Sequence, residues 1–294
     1  MQTKRVTFRH VWLPYLLCLP QLAVTLVFFI WPAAEAIIES FYRTNAFGTS
    51  MQFVAFENFQ RLFNDPSYFA SMRVSVIFAV STTVLAMTLS LLFAAVSDRI
   101  IRGTNAYRTF LIWPYAVAPA VAGVLWLFLF NPSIGIATYA LELLGIDFNA
   151  TIYPNSAMAL IIIAAAWKQI SYNFLFFLAG LQAIPNSVYE AAAIDGAGPV
   201  KRFFTIVLPL LSPTTFFLLV VNMVYAFFET FAVIHATTQG GPGQATSILV
   251  YRVWKDGFVG LDLGGSAAQS VVLMALVATF TVIQFRYIER QVEY

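Results

Sequence analysis

Five stretches of this sequence run long enough without a charge to cross a lipid bilayer, a sixth is broken by a single lysine, and no other feature restricts the fold as strongly. A membrane span needs about 20 residues of helix. Uncharged runs of that size occupy His10 to Ala34, Val74 to Ser97, Thr109 to Leu141, Phe203 to Phe228 and Leu263 to Phe285. A sixth, Phe148 to Tyr189, is interrupted only by Lys168. Hydrocarbon offers no partner to a backbone N–H or C=O, so runs of this kind become helices. Composition agrees: 60% of residues are hydrophobic and 10% charged, where soluble domains carry about 25% charged residues. The expectation is an all-α integral membrane protein with six transmembrane helices, near 12–38, 72–97, 107–130, 156–183, 208–234 and 266–287. They form one domain over 12–290, behind a short N-terminal segment, 1–11.

Orientation follows from the basic residues, which short cytoplasmic loops retain. An inside N-terminus puts Lys4, Arg5, Arg9, Arg99, Arg102, Arg108, Lys201, Arg202, Arg286 and Arg290 in the cytoplasm. Arg43, Arg61, Arg73, Arg252 and Lys255 fall outside, and the loop 131–155 has no basic residue. Both termini are therefore expected in the cytoplasm. The net charge of +2 expresses this topology, with no basic patch of the kind nucleic acid requires. The first apolar run is too long for a signal-peptide core, which has about 7–15 residues. Its prolines, Pro14, Pro20 and Pro32, imply kinks, and Cys18, the sole cysteine, reads as a small packing residue.

Between spans, the segment 43–73 interleaves aromatic residues (Phe47, Phe53, Phe56, Phe59, Phe63, Tyr68) with polar ones. It reads either as an interfacial lid or as a docking surface for an external partner. The third span carries Pro114 and Pro119, which make it a passive kink or a gate. Lys168 is the basic residue at membrane depth. Such a charge should face the bundle interior or a wet cavity and have a partner. Either it pairs with Glu229 or a carbonyl and pins two helices, or it lines a pathway with Gln169, Asn173, Asn222 and Glu229. Gly240, Gly241, Pro242 and Gly243 cannot continue a helix and suggest an outer loop or re-entrant gate. No Lys-Ser or Lys-Thr follows them in P-loop spacing.

No Walker A pattern occurs anywhere, and two histidines with one cysteine make a zinc or di-metal site improbable. No nucleophile signature appears, so no catalytic residue is expected and the chain is not read as an enzyme. Uphill transport would need energy from another chain. The polar insert 186–209, NSVYEAAAIDGAGPVKRFFTIVLP, is where that energy could enter. Ser187 and Glu190 form a capping-box pattern, Gly196 ends the first helix, and Pro199 suits the first turn of a second.

The insert also carries E-A-A, three residues, G, nine residues, I-x-L-P, met by Glu190, Ala191, Ala192, Gly196, Ile206, Leu208 and Pro209. This closely resembles the signature loop of permease subunits of bacterial ATP-binding-cassette importers. The runs IWPYAVAPAVAGVLWLFLFNP, WKQISYNFLFF, VNMVYAFFETFAVI and TTQGGPGQAT look like the carbohydrate-type permeases, and the resemblance covers essentially the whole chain. It implies a type I importer fold in the bacterial inner membrane. The implied partners are a second permease, giving a heterodimer, two ATPase subunits that carry ATP and magnesium, and a periplasmic binding protein; no cofactor is implied on this chain. It implies that 186–209 is a coupling helix seated in the ATPase, through Glu190, Ala191, Ala192, Asp195, Gly196, Ala197, Gly198, Lys201 and Arg202. Within the family the resemblance is strongest to permeases for sn-glycerol-3-phosphate and glycerophosphodiesters; disaccharide or oligosaccharide permeases are the sibling reading. A secondary transporter, which would show inverted repeats, is the remote one.

Overall fold

The structure, a computed structural model, describes residues 12–45, 50–99 and 103–288. The N-terminal segment 1–11, with Lys4, Arg5, Arg9 and His10, and also Phe47, Arg102 and Arg290, lie outside the described residues. Among the described residues, five helices are long and apolar enough to span a membrane: Trp12–Glu39, Pro66–Asp98, Pro154–Ala183, Ser212–Glu229 and Leu263–Arg286. A sixth span is a bent pair, Thr104–Ala116 and Pro119–Leu129. The fold is that of an all-α membrane protein. By packing, the chain divides into two units, Met1–Asn64 with Asp256–Val271 and Asp65–Lys255 with Val272–Tyr294, where the sequence suggests one domain over 12–290.

In the first unit the helix Trp12–Glu39 buries no side chain of its own. It leads into a two-stranded hairpin, Tyr42–Thr44 against Met51–Phe53, and a short helix, Glu57–Phe63. The buried Asn58 amide donates to the carbonyls of Ser40 and Tyr42, both at 2.9 Å, tying the helix to the start of the hairpin. Arg43 pairs with Glu57 and Arg61 with Asp262 at 2.7 Å. Phe41 packs against Phe56 and Phe59. Phe56 and Phe59 of this segment thus belong to a small folded element.

In the second unit the helix Pro154–Ala183 is the centre of the packing. Over its most apolar stretch 56% of residues are buried, against 33% for Pro66–Asp98 and for Ser212–Glu229. Phe174, Phe177, Leu178 and Leu181 form a core with Ala94, Val207, Leu211 and Leu218. Small residues (Ala157, Ala164, Ala165) are fully buried along the same helix, which lets neighbouring backbones approach closely.

The third span, expected over 107–130 with a kink or gate at Pro114 and Pro119, is broken between them. Its two arms meet at 108°. The first ends in a tight turn over Trp113–Ala116, and Val117 and Ala118 are extended, with ψ of 130° and 141°. Pro119 opens the second arm. The cause is local: the ring of a proline disfavours helical backbone in the residue before it, and its missing N–H is harmless only in a first turn. The fifth span, expected over 208–234, is likewise interrupted. Leu211 leaves helical geometry ahead of Pro213, and a short helix, Phe231–Ala236, follows Ser212–Glu229.

Candidate functional site

The insert between the fourth and fifth spans folds as two short helices meeting at an elbow, Asn186–Ile194 and Pro199–Arg202. The capping box expected from Ser187 and Glu190 does not form. Pro185, extended at ψ 139°, starts the helix at Asn186, so Ser187 already lies inside the first turn and no side chain caps it. Glu190 is left exposed. The far end closes as sequence reasoning requires. Gly196 has φ of +75°, the Ala197 N–H donates to the Ala192 carbonyl at 3.0 Å, and the Gly196 N–H to Ala193 at 3.1 Å. This is a complete Schellman stop, whose left-handed residue is best supplied by glycine.

Ala192 packs inward while Ala191, Asp195, Gly196, Gly198 and Lys201 are exposed and Ala197 is half-buried. Beside them stand Ile194, 86% exposed, and Val200, 69% exposed. The elbow therefore shows an apolar crest flanked by Glu190, Asp195 and Lys201. Arg202 differs from these residues: its guanidinium turns back, donates to the Tyr189 carbonyl at 3.1 Å and sits over the Tyr189 ring. Together with Asp98 and Asn186 it lines a cleft of about 320 Å³ under the elbow.

A second site lies between the third, fourth and fifth spans, a cavity of about 460 Å³. Lys168, Gln169 and Tyr172 enter from the fourth span, and Val221, Tyr225 and Glu229 from the fifth. Residues four apart share a helix face, and that spacing aligns 168 with 172 and 221 with 225 and 229. Tyr115 and Pro119 come from the two arms of the broken third span. The Lys168 ammonium donates to the Val117 carbonyl, the carbonyl option of the sequence reading, while Glu229 shares the cavity wall. Asn173 and Asn222 are deeply buried and bond each other reciprocally, at 3.1 and 2.8 Å, with a further bond from Asn222 to the Leu218 carbonyl. They clamp the fourth span to the fifth and do not line the cavity.

Sequence reasoning missed Tyr115, Tyr172 and Tyr225. For Tyr172 and Tyr225 the signal available was their four-residue spacing from Lys168 and Glu229; Tyr115, on another span, carried no such signal. An ammonium, a carboxylate, an amide and phenolic hydroxyls around one space suit a phosphorylated or polyhydroxylated solute. The glycine-rich loop lies elsewhere. Gly240, at φ +82°, is buried, and a side-chain carbon added there would stand 2.9 Å from the Tyr251 ring. Gly241 and Pro242 line a separate cleft of about 140 Å³ with Leu127 and Thr238.

One contact ties two connecting segments on a common side of the bundle. Arg252 pairs with Asp65 at 2.6 Å, joining the chain ahead of the second span to that between the fifth and sixth. Ser67 also donates to Asp65 through its N–H and its hydroxyl, both at 2.8 Å. Burial opposes ionisation of Asp65, but the Ser67 bonds and the Arg252 charge outweigh it and hold the carboxyl below its usual range.

Comparison with known proteins agrees with this architecture. Residues 74–294 match the family described as binding-protein-dependent transport system inner membrane component. The chain is 58% identical to the sn-glycerol-3-phosphate transport system permease protein UgpA of Brucella abortus, over 99% of both chains. It is 55% identical to that of Pectobacterium atrosepticum, over the full length of both. Among solved structures, it superposes on a chain of a bacterial ABC transporter involved in the import of the acidic polysaccharide alginate, with a TM-score of 0.79 at 19% identity, covering 95% of this chain and 96% of that one. The chain accordingly belongs to the binding-protein-dependent transport system inner membrane components, the multi-pass permease subunits of ABC importers.

Proposed function

We propose that this chain forms half of the translocation pathway of an ATP-driven importer for sn-glycerol-3-phosphate. The observation that carries the substrate is identity of 55–58% along the whole chain to permeases named for it. The cavity is in keeping with such a cargo, since Lys168 offers an ammonium to the phosphate, while Gln169, Glu229 and the tyrosines offer partners to the diol. A second permease completes the pathway as a heterodimer, two ATPase subunits hydrolyse ATP with its magnesium, and a periplasmic binding protein delivers the cargo. The elbow 186–209 faces the cytoplasm, as do both termini, and seats its crest of Ile194 and Val200 on an ATPase. Glu190, Asp195 and Lys201 flank that contact, Ala191, Ala197 and Gly198 keep it close, and the buried Ala192 packs behind it. Arg202 supports the elbow from beneath. Gly241 and Pro242 belong to an outer gate next to the second arm of the third span, and Gly240 packs behind them.

The test is uptake of labelled sn-glycerol-3-phosphate into proteoliposomes that hold the complete complex, with competing solutes added. Competition by unlabelled sn-glycerol-3-phosphate and glycerophosphodiesters, with none by maltose-like disaccharides, is expected. The reverse order would reassign the chain to a disaccharide or oligosaccharide importer.

A further inference from the structure

The break in the third span leaves a carbonyl without a helical partner. In a continuous helix the Val117 carbonyl would accept from the N–H four residues on. Here Val117 and Ala118 are extended, Pro119 restarts the helix, and the first backbone bond of the second arm runs from the Ala122 N–H to Ala118. Among the described residues the donor to Val117 is the Lys168 ammonium. At membrane depth an unsatisfied carbonyl is strongly disfavoured, so this bond supports the bent form. Trp167, next in the chain, sits edge-on to Trp113 of the first arm at 5.4 Å and to Trp126 of the second at 5.9 Å. The Trp167–Lys168 pair thus engages both arms and the junction between them, while Lys168 also faces the cavity whose wall includes Tyr115 before the break and Pro119 after it.

We infer that Lys168 is a latch on the broken third span, released by cargo. Resting on the phosphorylated-cargo reading above, the inference adds a way for the pathway to register its contents. An anionic acceptor binds an ammonium more strongly than a neutral carbonyl does. A phosphate entering the cavity draws Lys168 away from Val117. The freed carbonyl then favours rotation of the arms about residues 117–118 to find another donor, while Trp167 keeps both arms in register. Lys168 is in this respect a positioning residue: it acts on the gate through Val117 as well as on the cargo.

The experiment uses the complete importer, with both permeases, the ATPases and the binding protein, in lipid nanodiscs. Spin labels are placed through Phe110→Cys and Phe128→Cys, on exposed positions of the two arms, with Cys18→Ala and the other subunits free of cysteine. Pulsed electron resonance then reads the distance between the arms with and without sn-glycerol-3-phosphate. In the native-lysine complex the cargo should move the distance distribution beyond its unloaded width. Lys168→Gln keeps a neutral donor for Val117 and should keep the unloaded distance but lose the response. Lys168→Met, with no donor, should show a displaced distribution with or without cargo. A response that persists in Lys168→Gln overturns the latch, and so does a native-lysine complex that takes up cargo without any change in distance. A native-lysine complex that fails to take up sn-glycerol-3-phosphate at all overturns the cargo reading and the latch with it. Should Lys168→Met not assemble, the native-lysine and Lys168→Gln arms decide alone.

Discussion

The elbow at 186–209 and the cavity around Lys168 are built in opposite ways. The elbow is local: a proline start, a nine-residue helix, a Schellman stop at Gly196 and a proline restart, all within one short stretch. The cavity is assembled from residues 115–119, 168–172 and 221–229, brought together by three spans. A local device is sensitive to backbone geometry at single positions. An assembled one is sensitive to whatever holds its helices in register, including residues that never touch the cavity.

The largest effect should come from breaking the local device. Gly196 stands at φ +75° with open space where a Cβ would go, so the obstacle to replacement is backbone strain. A left-handed non-glycine residue costs about 1–2 kcal/mol, enough to depopulate the elbow that the ATPase must grip. Gly196→Asp should cut uptake roughly tenfold or more, on the scale of a tenfold change per 1.4 kcal/mol, with binding-protein affinity unchanged. Normal uptake by a correctly inserted Gly196→Asp complex would contradict the coupling role.

An intermediate effect should follow from loosening the assembled device. Stranding one member of a buried polar pair costs about 1–3 kcal/mol, while the net value of such a bond between membrane helices averages about 0.6 kcal/mol. Asn222→Leu alone should therefore lower the thermal midpoint of the purified complex by more than the double change Asn173→Leu with Asn222→Leu. A double variant at least as destabilised as the two singles summed would show that the pair does more than clamp the fourth span to the fifth.

The smallest effect belongs to the Asp65–Arg252 contact, which lines neither site. Its carboxyl titrates below the usual value of 3.8. The sign follows: the folded state binds this proton more weakly than the unfolded one, so the contribution to stability is present above 3.8 and fades as pH falls through the lower folded value. Asp65→Asn should lower the midpoint slightly at neutral pH, where the contribution is in force, and make its decline in acid shallower. An acid decline identical in the two proteins would remove Asp65 from the account.

The features legible from residues alone were those that depend on neighbours in the chain. The uncharged runs marked the membrane helices because hydrocarbon tolerates little else, and the stop at Gly196 with the restart at Pro199 was readable because dihedral preferences act over a few residues. The same logic failed at Ser187, where Pro185, two residues earlier, set the helix start. It also stopped short of the 108° bend, since prolines mark a break without giving its angle. What required the folded chain was the fate of polar groups at membrane depth. Lys168, Asn173, Asn222 and Glu229 were all candidates for one pathway, yet packing turned the two asparagines toward each other and left the lysine and glutamate on a cavity wall with three tyrosines. Each buried donor must find an acceptor, and which acceptor lies within reach is settled by how the helices pack against one another, a relation that residues far apart in sequence do not carry.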